Sequence, residues 1–429
     1  MTDPRNIDSF VQEIIYSRRI ETFEEILNHL QNTARTALFF FINGSFWFED
    51  RLSILSSDTN RSVINCIAEM KPYLITLNKK QGCFFKTTDF LLHHGIRLSI
   101  NEAASFFAIF YDEFERITSQ LKKGTATVIQ HAGFFDHSLY PIEDSDYLLP
   151  LIELKEYAIN NLKEHLSGFY LHGSLATRDY IRNWSDVDTL MIIKADTILS
   201  PEKLLLCRMH AIKSQKFFYL IDPFQLHGHL VISEFDMNYY PESYFPLALF
   251  DYALSFWEDR PIRFQIRDSY NERVSAFWHD SVNYFLLNLK KFKKNKNRCS
   301  LSAREKKLFL HRIMTFPLFY LQAKGIYGYK KYSFEKAQAD FNENSWKAVE
   351  AATNIMKCWS YTYEMNRALS FVANTDIEAY YWLITRYFNA REKLLDGPLS
   401  GIQVEYEKLL YSSASLAIEG WEKIEPNAD

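Results

Sequence analysis

Two short patterns in the middle of the chain carry residue types that can do chemistry. They are His172-Gly173-Ser174 and, with Asp186 twelve positions after Ser174, Ser185-Asp186-Val187-Asp188. A glycine after a strand lets the backbone approach a ligand closely, and amides at the start of a following helix can donate to phosphate oxygens. Ser174 adds a hydroxyl. Asp186 and Asp188 are two residues apart, so on a strand their carboxylates point the same way. Such a pair of hard oxygen ligands suits Mg²⁺ or Mn²⁺ held together with substrate phosphates. With two ions, one would activate an attacking hydroxyl and both would stabilise charge as pyrophosphate leaves. Arg178 and Arg182, expected on a short helix after Gly173-Ser174, add positive charge for a triphosphate.

The elements that must position these residues follow from the local pattern. Phe169-Tyr170-Leu171 reads as an apolar strand running into Gly173, and Thr189 to Ile193 as a second one opened by Asp186-Val187-Asp188. Leu149 to Leu166 has helical spacing, and Ser200-Pro201-Glu202 opens a helix with a cap, a proline at its first position and an acid in its first turn. In FFYLIDPFQLHGHLVISEFDM we expect two strands. The first ends at Asp222 before Pro223, and the second ends at Glu234 and Asp236, with His227 and His229 alternating along its middle.

An apolar strand, Gly-Gly or Gly-Ser, a spacer, and Asp-x-Asp ahead of an apolar run is the motif of the polymerase-β-like nucleotidyltransferase superfamily, and residues 168–236 resemble it. The resemblance implies transfer of a nucleoside monophosphate from a nucleoside triphosphate to an acceptor hydroxyl, with Asp186 and Asp188 as metal ligands and Gly173 and Ser174 at the nucleotide. It also implies a third carboxylate inside the strand that follows the helix after Asp-x-Asp. Asp222 is the first choice for that role, with Glu234 second and His229 as an alternative ligand or base. The segment GYKKYSFEKA (328–337) resembles the Lys and Ser or Tyr cluster with which many helical tails of the superfamily touch the phosphates, which points to Lys330 and Lys331.

Other readings of the pattern remain. Haloacid-dehalogenase-like phosphatases place their aspartates after an apolar strand, whereas here the strand follows the pair. Metal-dependent glycosyltransferases use Asp-x-Asp without requiring an upstream Gly-Ser. Both motifs also occur as ordinary turns. A nucleotide-binding sensor that has lost its third acid, or a helical interaction protein, would keep the fold without the reaction.

At 429 residues, with 47% apolar and 16% aromatic residues but only 13 Gly and 12 Pro, the chain excludes disorder and a turn-dense all-β fold. The expected class is α+β: a small mixed-sheet nucleotidyltransferase domain (147–240) between an N-terminal helical region (1–146) and a C-terminal helical domain (241–429) that closes one side of the cleft. Gly124 to Asp146 reads as the linker. Asn101 to Leu121 reads as a helix with Phe106, Phe107, Phe110, Phe114, Ile117 and Leu121 on one face, and Val282, Phe285, Leu286, Leu289 and Phe292 form another stripe. Thr375-Asp376-Ile377-Glu378 reads as a capping box, and Gly44-Ser45 as a turn.

The net charge of −4 excludes nucleic-acid binding through the overall field. Any such contact must be local, and the basic run Lys290 to Arg298 is its candidate. A macromolecular acceptor, protein or RNA, is preferred to a small molecule. Five cysteines without CxxC spacing give neither a disulfide framework nor a thiolate zinc site. The opening residues MTDPRNIDSF lack signal-peptide character and the apolar runs are short, so the expectation is a cytoplasmic protein with no membrane partner.

Overall fold

Helices start where polar caps precede apolar stripes. In the computed structural model, which describes residues 22–44, 61–95, 98–121, 125–129, 133–222, 225, 227–257, 261–294, 303–359 and 398–424, Thr22 opens α1 (Phe23–Asn43) with a reciprocal capping box to Glu25. Three further N-terminal helices follow: α2 (Arg61–Gln81), α3 (Phe85–His94) and α4 (Ile100–Thr118), the last capped by Ser99 and Glu102. The predicted α4 face is buried at Phe106, Phe107, Phe110, Phe114 and Ile117. Gly44 ends α1 in the left-handed region, with φ 63°. Ser45 lies outside the described residues.

Strands β1 (Thr125–Ile129) and β2 (Gly133–Phe134) occupy the segment expected as a linker. After α5 (Ser145–Asn161) come β3 (Leu166–His172), α6 (Gly173–Thr177), β4 (Asp188–Ile193), α7 (Ala195–Ile198), α8 (Pro201–Ser214), α9 (Lys216–Ile221), β5 (Leu230–Ser233) and α10 (Glu234–Met237). Then come β6 (Tyr240–Pro241), β7 (Leu254–Ser255) and β8 (Ile262–Arg267). Five strands form one mixed sheet in the order β2-β7-β3-β4-β5, and β1-β8-β6 form a second. β3 and β4 are antiparallel with His172 opposite Asp188, while β4 and β5 are parallel and joined through α7 to α9.

The C-terminal part is helical. α11 (Tyr270–Phe277) runs through a π-helical turn (Trp278–Asn283) into α12 (Tyr284–Lys294), followed by α13 (Ala303–Ala323), α14 (Lys330–Gln338), α15 (Glu343–Lys357) and α16 (Pro398–Ile424). The expected stripe from Val282 to Phe292 is buried. The molecule is α+β with helical regions flanking the sheets, as the sequence predicts. No described helix is long and apolar enough to cross a membrane.

Three local expectations are corrected. Phe217 to Ile221 is helical, not a strand; a short apolar run bears no period that separates the two. Arg178 and Arg182 lie beyond α6, not on it. The sheet also exceeds 147–240, because β2 and β7 fall outside those bounds, and one hydrophobic core joins both helical flanks to it. Residues 375–378, Lys296, Arg298 and Cys299 lie outside the described residues.

Candidate functional site

Asp186 and Asp188 flank Val187, whose side chain is buried and whose backbone is held on both sides by one amide. Gln225 Oε1 accepts from Val187 N, and Gln225 Nε2 donates to Val187 O and to His227 O, each at 2.9 Å. The two carboxylates therefore emerge together on the polar side of the β4 start, as their spacing predicts. Gln225 also brings in His227, whose Nε2 lies 2.8 Å from Asp188 Oδ1 and 3.7 Å from Asp186 Oδ2. One ligand atom from each of the three residues lies within 4.8 Å of the others.

This donor set fits a hard divalent cation. Asp186 Oδ2 is buried without a hydrogen-bond partner, an arrangement that costs free energy unless something binds it. His227 Nδ1 contacts Gly228 O at 2.8 Å, so an Nδ1–H leaves Nε2 free to ligate, the usual outer-shell support of a metal-bound imidazole. Burial opposes charge on His227, but the hydrogen bond to Asp188 and the charges of Asp188 and Asp186 outweigh it and raise its pKa to about 9. Burial likewise opposes ionisation of Asp186, yet the facing His311, His227, Lys307 and Lys330 bring its pKa down to about 2.

Gly173 is fixed by this cluster. Its φ is 71°, and a Cβ there would stand 2.0 Å from Asp188 Oδ2. The expected reason for a glycine was close approach to phosphate; the neighbour that requires it here is the Asp188 carboxylate. Ser174 Oγ donates to Ser185 Oγ at 3.0 Å, which itself accepts from Ile181 N at 2.9 Å, so Ser174 braces the loop that delivers Asp186. Both Gly173 and Ser174 line the cleft described below.

None of the three residues expected to complete the aspartate pair joins it. Asp222 is fully buried and pairs with the equally buried Lys307 at 2.6 Å. Glu234 accepts from Ala195 N at 2.7 Å and so caps α7. His229 lies in the core between Thr189 Oγ1 and Ser214 Oγ, both at 2.8 Å, against the rings of Phe169 and Phe218. With the Ser214 hydroxyl donating to Ala211 O, His229 Nε2–H donates to Ser214 and Nδ1 accepts from Thr189. Burial lowers its pKa to about 3.

The predicted basic residues divide. Lys330 and Lys331 open α14 and line the cleft, Lys331 lying 3.6 Å from Asp179. Arg178 ends α6 in the left-handed region and donates to Leu139 O at 3.4 Å, while Arg182 pairs with Asp144 at 3.3 Å; neither lines the cleft. Sequence reasoning missed Lys307 and His311. They stand one helical turn apart on one face of α13 and reach the aspartates only through tertiary packing. Burial and Lys330 hold the His311 pKa well below its ordinary value.

These residues open onto a cleft of about 1260 Å³. Its floor is the end of β3 and β4 with His227. Residues of α13 and the start of α14 also line it, as do residues of α11 and the π-helical turn, of α1, and Tyr244 and Phe245. The chain matches no family model, no curated protein and no solved structure.

Proposed function

We propose that the cleft binds a nucleoside triphosphate through Mg²⁺ or Mn²⁺ at Asp186 and Asp188, and that the protein transfers the nucleoside monophosphate to an acceptor hydroxyl. The observation that carries this reading is the convergence of Asp186, Asp188 and His227 beside Gly173 and Ser174 at the mouth of one cleft. His227 is the third potential ligand beside Asp186 and Asp188 among the described residues, where the resemblance implies a carboxylate. A bound ion supplies charge neutralisation for the triphosphate and acidity for the hydroxyl that attacks it. Lys330, Lys331 and His311 line the same cleft as the aspartates and would offer donors to phosphate oxygens. The proposed protein is cytoplasmic, with a protein or RNA hydroxyl as acceptor.

The test is incubation with each α-labelled nucleoside triphosphate plus Mg²⁺ or Mn²⁺. Label on a macromolecule with release of pyrophosphate supports transfer, and its absence with all four nucleotides and both metals rejects it. One observation favours a second reading: among the described residues the third group beside Asp186 and Asp188 is an imidazole and not the carboxylate that the resemblance implies, which suits a sensor that holds nucleotide without turning it over. Metal-dependent nucleotide binding without product identifies that case.

A further inference from the structure

Arg35, on the side of α1 that lines the cleft, has no part in the metal and triphosphate arrangement. It is 5% exposed. Its Nη2 donates to Asn32 Oδ1 at 2.9 Å, and its guanidinium carbon lies 3.6 Å from the centroid of the Tyr244 ring. Nη1 is buried with no hydrogen-bond partner, and no carboxylate among the described residues lies within ion-pair distance. Burying a guanidinium without a counter-charge costs stability, since neither water nor an anion replaces its lost hydration.

Arg267, at the end of β8, shows how a buried arginine is satisfied nearby. Its Nε and Nη2 donate to Gln31 Oε1 at 3.2 and 3.1 Å, and its fork grips Glu272. Glu272 also accepts from Asn32 Nδ2 at 2.8 Å and Ser243 Oγ at 3.2 Å. Its oxygens are filled, and Arg35 meets it only through the neutral Asn32 amide. Arg35, a residue of the cleft lining, is thus left with a positive charge and a buried donor, Nη1, that has no partner.

We propose that Arg35 anchors a second subsite of this cleft, which binds an oxyanion, phosphate or carboxylate, of the molecule that accepts the nucleotidyl group. The acceptor role rests on the proposed function; the anion site rests on the burial and open valence of Arg35. The phosphates of the triphosphate have other proposed partners in the lining, the ammonium groups of Lys330 and Lys331. Arg35 lines the same cleft as the aspartates. Tyr244, under Arg35, is followed by Phe245, whose ring stands 5.2 Å from His172, the residue before Gly173. A planar guanidinium backed by an aromatic ring presents its edge to a flat or tetrahedral oxyanion, which a lysine cannot reproduce.

The test uses the full chain stripped of metal on a chelating resin, with inorganic phosphate and malonate as probes, titrated by calorimetry at constant ionic strength. Saturable binding of at least one probe is expected. Arg35→Met should weaken it about tenfold or more, the loss of a charge-assisted hydrogen bond, while keeping or raising the melting temperature, because an uncompensated buried charge has gone. Lys291→Gln, on the exposed side of α12 and outside the cleft, should bind the probe as wild type does. Because neither metal nor nucleotide is present, failure of the transfer reading would leave this result unchanged. Absence of binding to the wild type, undiminished binding to Arg35→Met, or an equal loss in Lys291→Gln overturns the subsite. Should Arg35→Met not fold, Arg35→Lys decides: a weaker complex supports the fork, and wild-type affinity overturns it.

Discussion

Gly173 and Asp188 meet so closely that the strand end tolerates no side chain between them. A methyl at Gly173 would collide with Asp188 Oδ2 and be forced to a φ of 71°, so Gly173→Ala must either swing the carboxylate away or move the backbone. Mn²⁺ affinity should fall about 10- to 100-fold, the range typical when a group that positions a ligand is lost, and a Mn²⁺ titration reads it directly. His227 supplies a second prediction. Its folded pKa of about 9 lies above the ordinary 6.5, so its charge contributes stability to the metal-free fold that is fully present below pH 6.5 and is lost as pH rises through about 9. The melting temperature of metal-free protein should therefore carry a decline over that window which His227→Gln removes. Divalent metal must displace the same proton, so its affinity should rise across the same range in wild type only.

At the scale of elements, Asp222 and Lys307 tie the segment after α9 to α13, the helix that also carries His311. Both are essentially fully buried and 2.6 Å apart, so removing one partner strands the other. Asp222→Asn should cost about 3–5 kcal/mol in chemical denaturation, whereas replacing both, Asp222→Leu with Lys307→Met, should cost much less. A loss of turnover in Asp222→Asn with unchanged stability would instead return Asp222 to catalysis. The same region shows where the sequence was legible and where it was not. Asp-x-Asp on a strand and the glycine before a helix are local patterns, and both came out in place. His227 was expected with His229 in the middle of a strand, but β5 begins only at Leu230 and ends at Ser233, before Glu234 and Asp236; the place of His227 depends on Gln225, whose two-sided hold on Val187 has no periodic signature. The run before Asp222 looked like a strand because Phe217 to Ile221 is short and apolar. Lys307, His311 and Arg35 come from helices more than a hundred residues from the aspartates or more along the chain, so only packing reveals them.

For the whole molecule, the cleft is a junction of three parts. α1, the ends of β3 and β4, and the C-terminal helices α11, α13 and α14 all contribute lining residues. The N-terminal region, which carries no chemical motif, is thereby part of the site: Asn43 at the end of α1 holds the backbone of His229 through both its amide nitrogen and its oxygen. The basic stretch on α12 lies elsewhere. Lys290, Lys291, Lys293 and Lys294 are exposed, Phe292 is buried, and none of them lines the cleft. Changing the four lysines to Gln should leave nucleotide binding unaltered and flatten any salt dependence of RNA association. If wild-type protein shows no salt-sensitive association with RNA, the acceptor is a protein or small-molecule hydroxyl. The central claim, that Asp186, Asp188 and His227 hold a divalent ion together with a triphosphate, is tested most directly by following free Mn²⁺ by electron paramagnetic resonance as protein is added, with and without each nucleoside triphosphate. The account predicts Mn²⁺ uptake that a triphosphate strengthens in the wild type and that Asp186→Ala abolishes; equal uptake by wild type and Asp186→Ala, or none by either, would contradict it.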